Sequence, residues 1–175
     1  MLVAGETVLP ELLAEVSTLP HPARMIGVFR REDLPRFEQR PVALSLWRVG
    51  DPGNVGTLIR TADAFGASVE LSEGCADPTG PKALRASAGA VFRVPLGRAE
   101  GRRIGLVAHG GRALDEIELG EGTTFVLGSE RGGLSTEVQR MCDELVTIPT
   151  PGPAESLNVA AAGAIALYEW SRRCD

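Results

Sequence analysis

Three short segments of this chain combine polar side chains with the glycine and proline that shape ligand loops. The first is Asp51-Pro-Gly-Asn54-Val-Gly-Thr-Leu-Ile-Arg60. Its Pro-Gly pair makes a tight turn, Asn54 suits the N-cap of the helix that follows, and Arg60 falls on the first two turns of that helix. A plain strand–turn–helix with a surface arginine fits these residues equally well. The second is Gly128-Ser-Glu130-Arg-Gly132-Gly133-Leu-Ser135, whose three glycines allow a ligand close to the backbone. Ser135 there also suits a helix cap. The third is Ile148-Pro-Thr-Pro-Gly-Pro-Ala-Glu155-Ser156-Leu157-Asn158. Its prolines hold the loop in few conformations, and Ser156 reads as either a site residue or a helix cap.

Several familiar chemistries are absent. There is no G-x-x-x-x-G-K-[ST] phosphate loop, no G-x-G-x-x-G after the first strong strand, and no G-x-S-x-G nucleophile elbow. A hydrolase or nucleotide-binding enzyme built on Ser156 lacks a histidine partner, since His21 and His109 lie outside all three segments. Cys75, Cys142 and Cys174 are isolated and form no C-x-x-C pair, so neither a sequence-local metal site nor a disulfide framework is expected.

The elements that must hold these loops follow from the apolar pattern. Strand-like runs occupy 42–49, 68–71, 104–108, 124–127 and 145–148, and helix-like stretches occupy 55–65, 81–90, 136–141 and 156–173. Strands without clean polar alternation, separated by helices, predict an α/β domain with a mostly parallel sheet and helices on both faces. Ligands in such sheets bind beyond the carboxyl ends of the strands, where the three segments lie. In the last helix, Ala160, Gly163, Ala164 and Leu167 form a small-residue face suited to the core or to a subunit contact. Residues 1–40 differ: a helix over 6–17 stopped by Pro20 and Pro22, one strand near 25–29, then a charged linker. That is too little for an independent core.

The 175 residues are 43% hydrophobic and 23% charged, which excludes disorder and a coiled coil. No apolar run approaches the ~20 residues of a bilayer span, and no secretory signal is evident, so the expected location is cytoplasmic with no membrane partner. The net charge of −5 argues against nucleic-acid binding through bulk positive charge and leaves room for a local basic patch.

Taken together and in this order, the segments resemble the SpoU (TrmH) family of RNA ribose 2′-O-methyltransferases in the SPOUT class. The family patterns D-P-x-N-x-G-x-x-x-R-T-A, L-G-x-E-x-x-G-L-S and I-P-(loop)-E-S-L-N-V are all present, and Asp77–Phe92 is similar too. The match runs from about Leu44 to the C-terminus. It implies a C-terminal trefoil knot, S-adenosylmethionine as cofactor, a tRNA or rRNA substrate, a homodimer and no metal. By motif, Gly128, Ile148 and Leu157 line the cofactor pocket. Arg60 carries the catalytic role, as a base or as a group that orients a phosphate and polarises the hydroxyl. Asn54 fixes the first loop, Glu130 orients Arg60 or that loop, and Ser156 and Asn158 hold the acceptor side.

On this reading residues 1–40 are an N-terminal arm or the remnant of an RNA-recognition domain, and residues 41–175 are the methyltransferase domain. Arg131 departs from the smaller or acidic residue that many relatives carry after the glutamate. A catalytically silent knotted RNA-binding or assembly factor is the competing expectation.

Overall fold

The computed structural model describes residues 2–3, 6–17 and 24–174. The expected helix stops at Pro20 and Pro22, and His21, fall outside the described residues. The chain divides into two compact units at Leu34/Pro35. The smaller pairs β1 (Leu2–Val3) with β2 (Met25–Ile26) antiparallel and carries α1 (Pro10–Val16). Only Leu13 of that helix is buried, while Leu9, Leu12 and Val16 are exposed.

The boundary lies earlier than the expected residue 40. The Phe37 ring packs on Gly97, and Gln39 brackets the Glu100 backbone by donating to its carbonyl and accepting from its N–H. These contacts place residues 35–40 in the larger unit.

That unit is built on β3 (Val42–Leu46), β4 (Ser68–Leu71), β5 (Arg102–Leu106), β6 (Arg112–Ala113), β7 (Thr123–Leu127) and β8 (Glu144–Thr147). Every pairing is parallel, in the order β4-β3-β7-β5-β8-β6. The central β3 and β7 are buried at every residue, which explains their lack of polar alternation. β7 enters between β3 and β5, and β8 between β5 and β6. Both therefore fill gaps left by strands earlier in the chain.

Helices cover both faces, as expected. On one face α2 (Pro52–Ala64) packs against α3 (Pro81–Ser87) and α5 (Val159–Ser171). On the other, α4 (Thr136–Arg140) presents Val138 to Val126 and Leu134, with Trp47 and Cys142 alongside. Gly163 decides how α5 seats. A Cβ there would stand 2.4 Å from Leu58 and 3.1 Å from Leu127, so the helix lies directly on α2 and β7. Gly163, Ala160 and Leu167 are thus spent on the domain's own core. The outward stripe of α5 is instead Ile165 and Tyr168.

Two expected caps move. Asp51, not Asn54, caps α2, accepting the Asn54 N–H at 3.0 Å with Pro52 at the first helical position. Arg60 consequently sits on the third turn. Asn158, not Ser156, caps α5, accepting the Ala160 and Ala161 N–H groups at 2.8 and 3.3 Å. Ser135 caps α4 as expected. Among the described residues no helix is long and apolar enough to cross a membrane, and no acidic, His or Cys cluster is arranged to hold a metal.

Candidate active site

The loops that leave β3, β5, β7 and β8 at their carboxyl ends meet at one place. A concave pocket there is walled by Leu106, Leu127, Ile148, Leu157 and Val159, with Ser129, Thr150, Glu155 and Ser156 as its polar edge. Gly128 forms part of the wall as bare backbone. A Cβ on Gly128 would lie 2.1 Å from the Gly133 carbonyl carbon, so the strand end and the returning loop touch main chain to main chain. That loop closes on itself, with Ser129 and Gly133 exchanging N–H···O bonds of 3.1 and 2.9 Å. Gly128, Ile148 and Leu157, separated by at least nine residues in sequence, therefore line one cavity.

Beside the pocket, three loops are tied by side chains. Glu130 accepts from the Gly50 N–H at 3.2 Å, the Asp51 N–H at 3.0 Å and the Asn54 amide at 3.0 Å. The Asn54 carbonyl oxygen in turn accepts from the Asn158 amide at 3.1 Å. Burial pushes the Glu130 carboxyl up, but the bonds from Asn54 and the backbone outweigh it and leave the group below the ordinary glutamate range. Asp51 is held low chiefly by Lys82, whose ammonium donates at 2.8 Å, and by the Asn54 N–H. Both acids at the mouth are therefore charged and fully engaged.

Of the five expected active-site side chains, the structure joins Asn54, Glu130 and Asn158 in one bonded chain. It places Ser156 on the adjoining pocket, with no bond of its own among the described residues. Arg60 stands apart. It is exposed on α2, about 9 Å along the helix axis from Asn54 at ~1.5 Å per residue, and has no partner among the described residues. Glu130 orients the first loop rather than Arg60.

Four contributors escape the sequence reading: Asp51 as cap, Lys82, Glu155 and Arg48. Asp before Pro at the first helical position is a local signal for the first. Lys82 has none, being 31 residues away from the carboxylate it binds. Arg48 has a backbone φ of +54°, a left-handed conformation that costs a non-glycine residue about 1–2 kcal/mol.

The SpoU rRNA methylase family model matches residues 41–168, which includes every one of these loops. The chain belongs to the SpoU rRNA methylase family. It is 34% identical to an uncharacterised tRNA/rRNA methyltransferase of Synechocystis, with 98% of this chain and 67% of that protein aligned. With an uncharacterised tRNA/rRNA methyltransferase of Mycobacterium tuberculosis the identity is 37%, over 78% of this chain and 47% of the other. The chain thus spans about half the length of the mycobacterial relatives.

Among solved structures, one assigned to the TrmH family of RNA methyltransferases from Porphyromonas gingivalis superposes with a TM-score of 0.83 and 37% identity, covering 92% of this chain and 71% of that one. The SpoU methyltransferase AviRb of Streptomyces viridochromogenes, solved with AdoMet, gives 0.77 and 29% over 95% and 72%. An RNA 2′-O ribose methyltransferase gives 0.76 and 28% over 94% and 70%. The fold of this chain thus has a counterpart in each.

Proposed function

We propose that this chain methylates a ribose 2′-hydroxyl of tRNA or rRNA with S-adenosylmethionine. The observation that carries the reading is the pocket itself, because the ends of β5, β7 and β8 converge on it and the Glu130–Asn54–Asn158 chain, which ties in the loop after β3, borders it. Its residues suit the cofactor. Leu106, Ile148 and Leu157 make an apolar slot for a purine, the bare backbone at Gly128 and Gly133 exposes main-chain groups to its edge, and Glu155 offers a carboxylate to cationic groups. The bound cofactor supplies an electrophilic methyl group on a sulfonium.

The chain's own residues then have to position an acceptor hydroxyl in line and ease loss of its proton. Ser156 offers a hydroxyl at the pocket edge that has no partner among the described residues. Arg60 offers a planar fork that engages a phosphate and a neighbouring hydroxyl together. Asn54, Glu130 and Asn158 act through the backbone they hold, fixing the first loop against the α5 cap.

The reading includes a trefoil knot, supported by the late insertion of β7 and β8 between strands already laid down. It also includes a homodimer, supported by the exposed Ile165 and Tyr168 along α5, and a place in the cytoplasm.

The test is transfer of labelled methyl from S-adenosylmethionine to tRNA and rRNA, followed by alkaline digestion. A methylated ribose lacks the free 2′-hydroxyl that alkaline cleavage needs, so label recovered in alkali-resistant dinucleotides is the expected result. Label in mononucleotides would redirect the reading to base methylation. Cofactor binding with no transfer to any RNA would favour the silent RNA-binding factor.

A further inference from the structure

A second depression adjoins the cofactor pocket and shares Ser129 with it. Its rim carries Arg48 on the loop after β3 and Arg131 on the loop after β7, with Asp51 and Glu130 between them. The two acids keep their charge, which the arginines and Lys82 together exceed, but they do not pair with the arginines: the Glu130 carboxylate accepts from Gly50, Asp51 and Asn54, and the Asp51 carboxylate from Asn54 and Lys82. Among the described residues neither guanidinium has a hydrogen-bond or ion-pair partner.

Both arginines are mounted on fixed backbone. Arg48 donates its N–H to the Ser72 hydroxyl at 3.0 Å, and its stem lies along Gly74, where a Cβ would stand 3.4 Å from Cγ and Nε. Its left-handed φ is one that glycine would adopt without strain, so the position carries a cation at a conformational cost. Arg131 crowns the turn closed by Ser129 and Gly133, further tied by the Gly132 N–H to the Ser129 hydroxyl at 3.2 Å.

We propose that Arg48 and Arg131 form a two-pronged clamp for phosphodiester groups of the RNA strand, seating the acceptor nucleotide at the mouth of the cofactor pocket. The inference rests on the methyltransferase reading and extends it to how an acidic chain grips a polyanion. Two guanidinium forks that line one groove, with no partner among the described residues, can each take a backbone phosphate, and the continuity at Ser129 brings the acceptor ribose to the pocket.

The experiment titrates fluorescently labelled tRNA and 23S rRNA transcripts across a range of NaCl, with cofactor affinity read separately by calorimetry. Arg48→Gly keeps a residue suited to the backbone, and Arg131→Ala leaves the turn glycines in place. Each substitution is expected to lower the slope of log affinity against log salt by about 0.7 to 0.9, and the pair by about twice that, with cofactor affinity unchanged. Arg98→Ala, on a separate depression at the β4 edge, is the control and is expected to leave the slope alone. Unchanged slopes in an otherwise active protein would overturn the clamp and leave the methyltransferase reading standing. So would an equal loss in the Arg98 control, which would signal diffuse charge. A wild-type chain that binds neither the cofactor nor either RNA overturns both.

Discussion

The two ends of the parallel sheet use arginine in opposite ways. At the amino-terminal end, Arg102 and Arg112 converge on Glu144 at the start of β8. They also donate to the Glu118 and Glu116 carbonyls at 2.7 and 3.0 Å. Past the carboxyl ends of β3 and β7 the acids accept from backbone, amide and ammonium groups, and the Arg48 and Arg131 guanidiniums have no partner among the described residues. Net charge is blind to this. A chain at −5 can still present guanidinium donors with no partner among the described residues where the neighbouring carboxylates take their bonds elsewhere, and which arginines can reach a polyanion depends on what their neighbours leave undone.

The contrast can be broken most directly at Arg60, another cation with no partner among the described residues. Arg60→Ala is expected to lower methyl transfer on the order of 10³-fold, measured with labelled cofactor, while calorimetry shows cofactor affinity unchanged. Arg60→Lys should be nearly as inactive, because it keeps a charge and loses the fork. Substantial recovery by lysine would mean that a point charge suffices.

Glu130→Gln tests the engaged acid. It removes a charged acceptor of three bonds and is expected to destabilise the domain by about 1–2 kcal/mol in urea unfolding. The folded carboxyl titrates below its unfolded value of 4.5, so its contribution is present in full above that pH. It is lost as pH falls through the lower folded value. The gap between wild type and Glu130→Gln should therefore close in acid, and a gap that persists there would show that the charge is not the source.

Asn158→Ala, which deletes the α5 cap and the bond to Asn54, should cost about 1 kcal/mol by thermal unfolding. Smallest of all, Arg112→Ala at the paired end should cost about 0.5 kcal/mol or less and leave RNA affinity and its salt slope unmoved. A large effect there would erase the difference between the two ends.

Much of this was legible in the residues. The apolar runs located five strands of the large sheet to within a few residues, and the family resemblance named Gly128, Ile148 and Leu157, which line one cavity. The caps were misassigned because Asp51, Asn54, Ser156 and Asn158 are all good capping types. Only the path of the chain decides which oxygen meets an orphan N–H. The two-residue β6 carries too little pattern to detect. The small face of α5 reads identically for core and for contact, and Leu58 beneath Gly163 settles it from 105 residues away. The partners of Glu130 and Asp51 were hidden for the same reason, since bonds spanning 76 to 80 and 31 positions leave no local trace.

The late arrival of β7 also has a consequence for how the chain is made. Residues 42–46 and 102–106 both wait for 123–127 before either gains its neighbour on that side. A nascent chain emerging amino end first therefore exposes the edge of β5 until β7, the next strand in the chain to pair with it, is made, and the edge of β3 for longer still. Such long-range pairing makes for slow completion, and the half-built sheet is the species most prone to stick to a copy of itself. Ribosome-associated chaperones that cover exposed apolar strands would find their window here, between the emergence of residue 106 and that of residue 127.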